Sequence, residues 1–398
     1  MRIRPVLTLG AAVIAVVHAA GAAGPPVRTP LDPAQRNAVL VLMHAVDVAQ
    51  ESDATSDAID WTNHLLKAPD QTAYVPFRVT LPAAQTPKSA ALYVRAVSRH
   101  DGFRSKMEHS VLREWVERGG GAPPPLQQTM RVSPGEMPVG GPGVSSSRQN
   151  IQAATEASTM LTLQQRQFEK EKAAAEAAKK KEEAKERNPD LFPFEEYYFA
   201  DVKGSRAIER ALALPPGEYD VFIALVDRSK VGASAPAVIR RTIRVPDYWN
   251  DELSLSPVIL VKEFRQLKAP LSAKDQPEHP YTFGAADIEP VSAAAFSSSD
   301  VLTVFYQICN YGAPDVDVTT EYHVYRDVNG ARTLFNRTDP QQLGDADLPA
   351  PSNWSTQGFV MQTLPLAPFP SGRYELEIVA KDRLTRRTAT TMVEFTVK

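Results

Sequence analysis

The sequence predicts a mainly β protein made of two antiparallel β-sandwiches of the immunoglobulin or fibronectin type, with N-terminal helices and a long insertion in the first sandwich. Three observations predict it. The stretch Leu214-Pro215-Pro216-Gly217-Glu218-Tyr219-Asp220-Val221-Phe222 aligns without a gap on Phe369-Pro370-Ser371-Gly372-Arg373-Tyr374-Glu375-Leu376-Glu377, about 155 residues later, and both copies run on to Asp-Arg, at Asp227-Arg228 and Asp382-Arg383. Each copy is answered by another strand pattern, Thr242-Ile243-Arg244-Val245 and Glu394-Phe395-Thr396-Val397, as in the last hairpin of a sandwich. Short alternating runs at sandwich spacing fill the rest of the C-terminal half.

Residues 1–22 read as a secretory signal. Arg2 and Arg4 form the basic start, residues 6–17 the apolar run, and Ala20-Gly21-Ala22 the small-residue cleavage site. The apolar run is too short to span a bilayer, and no later stretch approaches the length of a membrane helix. The expected mature chain is exported, periplasmic or extracellular. Loss of Arg2 and Arg4 makes the formal net charge of -3 two units more acidic. No basic tract stands apart from acidic neighbours, which argues against a nucleic-acid partner. Cys309 is the single cysteine, so no intrachain disulfide can form and each module must hold by core burial. Its setting, Leu302-Thr303-Val304-Phe305-Tyr306-Gln307-Ile308-Cys309, reads as a buried strand with the thiol as a small hydrophobe.

Residues 31–68 are expected to hold the N-terminal helices. Asp32-Pro33 supplies a capping side chain followed by proline at the first helical position. A helix over 34–49 follows from the Leu, Val, Ala and Met content, and a second over 58–66 from the spacing of Trp61, Leu65 and Leu66. The first sandwich spans 71–246. Its strands begin at 73–81, where Pro76 predicts an edge position or a bulge, and at 91–97. An insertion over 103–190 then interrupts the strand pattern. Within it a short helix carries Met107, Val111, Leu112 and Trp115, residues 119–150 are Pro-, Gly- and Ser-rich and expected to be disordered, and 151–187 is Ala-, Glu-, Lys-rich and helix-forming. The last of these lacks a sustained heptad seam, which predicts a solvated helical arm rather than a coiled-coil dimer. Strands resume at 194–202 and 207–214. Residues 247–284 are expected as a linker with one short strand at 258–261. The second sandwich spans 285–398, with Asn329-Gly330 as a hairpin turn.

No His-Glu-x-x-His, Gly-x-Ser-x-Gly, P-loop or Cys-x-x-Cys spacing occurs. The densest polar pattern lies over 315–325, where strand alternation puts Asp315, Asp317, Thr319, Glu321 and His323 on one side. Antiparallel sheets leave one face polar, and that is the leading reading of this face. The alternative is a divalent-cation site of Asp315, Asp317, Glu321 and His323, helped by Asp345 and Asp347, or a hydrolase whose catalytic groups are the same four side chains. The duplicated Asp-Arg pairs read as turn elements in which Asp caps backbone amides. Trp61, Trp115, Trp249 and Trp354 share no spacing and are assigned to packing.

From Val245-Pro246-Asp247 onward the chain resembles a family of exported bacterial proteins common in acidobacteria. The stretches that carry the likeness are Pro257-Val258-Ile259-Leu260, Pro280-Tyr281-Thr282-Phe283-Gly284, and Leu364-Pro365-Leu366 with Gly372, Tyr374 and Asp382. Tyr74-Val75-Pro76-Phe77 and Leu214-Pro215-Pro216-Gly217-Glu218-Tyr219 add to it. Similar sandwiches accompany von Willebrand factor A-related and GWxTD-type proteins. The chain lacks both groups' motifs, since Asp227-Arg228-Ser229-Lys230-Val231 fails the Asp-x-Ser-x-Ser pattern at its last position. The resemblance implies fold and compartment and assigns no functional residue or cofactor. The expected role is binding or scaffolding of a protein partner through sheet edges or the helical arm, with the hydrolase and a cation-stabilised adhesion module as alternatives.

Overall fold

The computed structural model describes residues 30–52, 55, 59–68, 71–81, 87–99, 111–117, 194–202, 207–272, 275–312, 316–344, 347–348 and 357–398. The signal at 1–22, the segments 119–150 and 151–187, Asp315, Asp345 and Trp354 lie outside the described residues.

Among the described residues four sheets, antiparallel except where Ala295–Phe296 pairs in parallel with the C-terminal strand, and a helical layer stack face to face. Helix α1 (Pro33–Ser52) starts where Asp32 Oδ1 accepts from the Gln35 amide at 2.7 Å while Gln35 Oε1 accepts from the Asp32 amide at 3.1 Å, a reciprocal cap that satisfies the first orphan donors. The expected second helix at 58–66 does not form. The chain instead makes two short strands, β1 (Asp60–Asn63) and β2 (Leu66–Lys67), which pair one after the other with the same side of β3 (Ala73–Thr80). β-sheet pairing and the burial of Trp61 against Phe77 override the helical spacing, because so short a helix gains little on its own. With β6 (Ala207–Leu214) these strands make sheet I.

The same arrangement explains Pro76, which sits in a central strand rather than at an edge. Its missing N–H faces the break between β1 and β2, where the His64 amide donates to the Pro76 carbonyl at 3.0 Å. No ladder bond is lost there.

Sheet II runs in the order β5 (Phe194–Asp201), β4 (Ser89–Ser98), β7 (Gly217–Asp227), β8 (Ala237–Val245). The insertion therefore joins two strands that pair directly, Ala96 lying opposite Phe194. β4 and β7 are buried on both faces. Leu92, Val94, Val221 and Ile223 pack against Val75, Phe77 and Val79 of sheet I, while Ala91, Tyr93, Phe222 and Ala224 pack under Val39, Leu42, Met43 and Val46 of α1 and under α2 (Val111–Glu117). Arg95, only 1% exposed, lies in this helical layer. It donates to Asp47 Oδ1 of α1 at 2.8 Å and to Tyr93 Oη at 3.0 Å, and lies 3.4 Å from Glu195. Arg113 of α2 pairs with the other Asp47 oxygen. Burial opposes the Arg95 charge, yet Tyr93, Glu195 and Asp47 together hold its pKa above the ordinary value.

The second pair of sheets encloses a separate core. Sheet III contains β9 (Ser254–Leu255), β10 (Ile259–Gln266), β11 (Thr282–Phe283), β12 (Ala286–Pro290), β14 (Val301–Cys309) and β18 (Gln357–Pro365). Sheet IV contains β13 (Ala295–Phe296), β15 (Val318–Val328), β16 (Ala331–Arg337), β17 (Gln341–Leu343), β19 (Gly372–Asp382) and β20 (Arg387–Val397). The span 247–284 is thus more than a linker, because β9, β10 and β11 belong to sheet III. Asn329 and Gly330 turn β15 into β16 with φ of +56° and +83°, the left-handed pair that a two-residue hairpin requires.

The repeated sequence folds into equivalent hairpins, β7 with β8 and β19 with β20. In each, the tyrosine hydroxyl reaches back to a proline carbonyl four residues earlier, Tyr219 to Pro215 at 3.0 Å and Tyr374 to Pro370 at 2.5 Å. The glycine between them takes φ of +151° at Gly217 and +157° at Gly372, a region that L side chains rarely adopt. Each closing aspartate caps a turn. Asp227 Oδ1 accepts from Ser229 N at 2.9 Å, and Asp382, 1% exposed, accepts from Gly312 N at 2.7 Å, Leu384 N at 3.0 Å and Thr385 Oγ1 at 2.6 Å.

Sheets I and III meet face to face, which joins the two sandwiches. Phe283, Phe305 and Phe359 stack with ring centroids 5.0 to 5.4 Å apart and cover Leu66 and Tyr74 of sheet I. At one margin Gln307, fully buried, turns its amide onto the β2 backbone: Lys67 N donates to Gln307 Oε1 at 2.6 Å and Gln307 Nε2 donates to Lys67 O at 3.3 Å. Cys309, one position further along the same face, is buried, and burial pushes its thiol up to about 12. Replacing Gln307 by Leu leaves the Lys67 N–H and C=O unpaired, so Gln307→Leu is expected to destabilise the chain by about 2–3 kcal/mol in urea unfolding.

Candidate functional site

Two places gather polar chemistry. The first is the outer face of sheet IV, where Glu321, His323 and Tyr325 of β15 stand beside Glu375, Glu377 and Lys381 of β19 and Arg332 of β16. His323 Nδ1 lies 3.0 Å from Glu377 Oε2 and its Nε2 lies 3.3 Å from Glu321 Oε2. Arg332 donates through Nε to Glu375 at 2.6 Å and through Nη2 to Glu377 at 3.2 Å, with its guanidinium over the Tyr325 ring. Lys381 pairs with Glu321 and holds its carboxyl below the usual range. Burial pushes the Glu377 carboxyl up, but bonds from His323, Arg332 and Tyr325 bring it below that range. Every carboxylate of the cluster thus faces a cation, an imidazole or a hydroxyl.

Of the four residues singled out in the sequence, Glu321 and His323 come together in this cluster. Asp317 stands apart from it, accepting from Gln342 Nε2 at 2.6 Å and lying 3.6 Å from Arg383. Asp347 serves a turn, accepting from Gly344 N at 3.0 Å. Among the described residues no group of His, Cys, Asp and Glu is placed to hold a metal ion. Glu377 and Arg332, which complete the cluster, come from other strands, and only the pairing register could have brought them to mind.

The second place is a cleft of about 940 Å³ between the two sandwiches. On one side it is lined by the end of β5, by Ala207–Arg210 at the start of β6, and by Arg78 and Arg228. On the other stand Arg265, Glu278 and His279, with Asp287 and Glu289 of β12. Most charges are paired with a neighbour on their own side: Arg78 Nε with Glu209 at 2.6 Å, Arg265 Nε with Asp287 at 3.1 Å, and Lys262, beyond the cleft, with Glu289 at 2.8 Å. Arg78 also crosses between sandwiches to the Pro290 carbonyl at 3.1 Å. Arg210 lies over the Tyr198 ring and reaches Glu278 at 3.3 Å, and Arg228 lies over the Phe199 ring.

His64 and Tyr281 connect this cleft to the interface. The Tyr281 hydroxyl lies 3.1 Å from His64 Nδ1 and 3.3 Å from the Pro76 carbonyl, and the rings meet edge to face. Burial, then the Arg78 charge, lower the His64 pKa to about 4. The other described histidines differ in setting: His44 and His279 are exposed, and His323 is held in the sheet IV cluster. Trp61 packs in the first core, Trp115 on Tyr197, and Trp249 under the Lys67 ammonium.

Compared with family models, and with curated proteins, the sequence finds no match. Among solved structures, red sea bream transglutaminase is similar at 9% identity and a TM-score of 0.20, over 89% of this chain and 33% of that protein. A β-glucuronidase of Bacteroides uniformis is similar at 8% identity and a TM-score of 0.22, over 82% of this chain and 26% of that protein. The chain spans a third or less of the length of these proteins.

The depressed His64 pKa makes stability depend on pH. Between about pH 6.5 and 4 the unfolded chain binds a proton that the folded chain refuses, so stability is full above 6.5 and falls as pH drops through that window, by up to about 3 kcal/mol. His64→Gln removes this contribution, and urea unfolding across the window should show a shallower pH slope than the unaltered protein.

Proposed function

We propose that the protein is an exported, non-enzymatic binding or scaffolding protein of the bacterial envelope or extracellular space. In this reading it has two immunoglobulin-like modules, and the insertion over 103–190 carries a helical arm. The observation that supports it best is the state of the acidic and histidine residues. Glu321, His323, Glu375 and Glu377 stand on the open face of a sheet with their charges matched by Arg332 and Lys381, and they line no part of the inter-sandwich cleft. A hydrolase needs such groups converging on a concave site where substrate can sit. The stacked sheets add a second support: a stiff body with an insertion leaving the β4–β5 hairpin suits presentation of a recognition segment. Localisation follows from the N-terminal pattern of charge, apolar run and small residues.

Crosslinking pull-down from the native envelope fraction tests this, comparing the mature chain with one lacking 122–187. The expected result is a defined partner captured by the full chain and lost with the deletion. Failure of both forms to capture a partner counts against scaffolding.

A further inference from the structure

We propose that Lys67 and Asn310 join covalently, the lysine Nζ replacing the asparagine side-chain nitrogen in an intramolecular isopeptide bond that staples sheet I to sheet III. The proposal stands apart from the binding reading above and assigns a modification site to the margin where the two sandwiches meet.

The geometry carries it. Lys67 ends β2 in the first sandwich, and Asn310 follows β14 in the second, 243 residues later. Lys67 Nζ lies 2.5 Å from Asn310 Oδ1. With a carbonyl bond of about 1.23 Å, Cγ then lies within about 3.7 Å of Nζ, close to the ~3 to 3.5 Å at which reacting atoms are poised. The amide is also held the right way round. Asn310 Nδ2 donates to the Tyr248 and Glu252 carbonyls at 2.9 Å each, which leaves Oδ1 and Cγ presented to the lysine.

The surroundings favour a neutral amine. A buried ammonium is stable when a carboxylate pairs with it, but Lys67, 6% exposed, has a neutral amide as its hydrogen-bond partner and the Trp249 ring 4.4 Å from its Nζ. Burial lowers the Lys67 pKa against the opposing pull of Cys309 and Asp251. The Cys309 thiol is itself pushed up to about 12 and stays neutral, so Asp251 is the charged group that acts on the lysine. A desolvated lysine is a nucleophile once it gives up a proton.

The step balances without an oxidant or a co-reactant. The Lys67 ammonium passes one proton to the Asp251 carboxylate, and the freed Nζ lone pair bonds to Asn310 Cγ. Nδ2 then takes the proton held by Asp251, and the Cγ–Nδ2 bond breaks with its electron pair on the departing nitrogen. The surplus proton on Nζ leaves with the ammonia as ammonium. A buried positive charge is thereby exchanged for a neutral amide, in a chain whose single cysteine allows no intrachain disulfide.

Intact-mass spectrometry and tryptic mapping of the denatured mature chain test the bond. The expected mass is that of the sequence less one ammonia, about 17 Da, and trypsin should spare Lys67 and release a branched peptide in which it is joined to Asn310. Lys67→Met and Asn310→Gly should each show full sequence mass and melt several degrees below the unaltered chain, since a cross-link closing so long a loop restricts the unfolded state. Glycine suits position 310, where φ is +61°. Asp251→Asn should leave most chains unlinked. If a variant fails to fold, the mass and peptide map of the unaltered chain decide alone. A mass equal to the sequence, tryptic cleavage after Lys67, or an ammonia loss that maps instead to a succinimide at Asn329-Gly330 overturns the proposal. Full linkage in Asp251→Asn overturns the role given to Asp251.

Discussion

Everything in this molecule turns on one strand that is buried on both faces. β14 sends Leu302, Val304, Tyr306 and Ile308 into the core between sheets III and IV, and Phe305, Gln307 and Cys309 toward sheet I. A strand with one solvated face would alternate polar with apolar, and this one does not. The cost of its second burial is a polar amide with no water, and Gln307 meets it by imitating a backbone. Its carbonyl and amide bond the N–H and C=O of Lys67, so β2 finds in a side chain the partner that no strand supplies on that edge. Neighbouring groups follow suit, with Lys67 Nζ donating to Asn310 and Asn310 donating to the Tyr248 and Glu252 carbonyls.

The two repeats share their turn chemistry and differ in what covers them. Tyr219 and Tyr374, Gly217 and Gly372, and Asp227 and Asp382 fix equivalent hairpins at equivalent places. The outer face of sheet II is then covered by α1 and α2, with Arg95, Asp47 and Arg113 as a buried ionic tie. The outer face of sheet IV is left to the Glu321, His323, Glu377 and Arg332 network. The two outer faces thus differ, that of sheet II apolar and covered, that of sheet IV polar and open.

Much of the strand plan was legible because it is local. The Pro-x-Gly-x-Tyr repeat, the Asn329-Gly330 turn and the Asp32 cap each carry their conformational reason within a few residues. Errors arose where tertiary partners decide. Trp61, Leu65 and Leu66 have helical spacing, but β3 offers them a ladder. Pro76 looks like an edge residue until its missing donor is set against the gap between β1 and β2. Residues 254–266 lack any mark of belonging to the second sandwich, since β10 is recruited to β14 and β12 by non-local pairing. For the candidate site, alternation correctly gathered Glu321 with His323, whereas Asp317 is drawn away by Gln342 and Arg383. Gln307 and Arg95 were visible as lone polar residues in apolar runs, a signal that points to burial with a partner without saying which one.

Cooperativity of unfolding tests the central claim most directly. If the Gln307 contact and the stacked phenylalanines bind the sandwiches into one body, scanning calorimetry of the mature chain will show a single transition for both, with calorimetric and van't Hoff enthalpies equal. Two resolved transitions, one for each sandwich, would contradict the account.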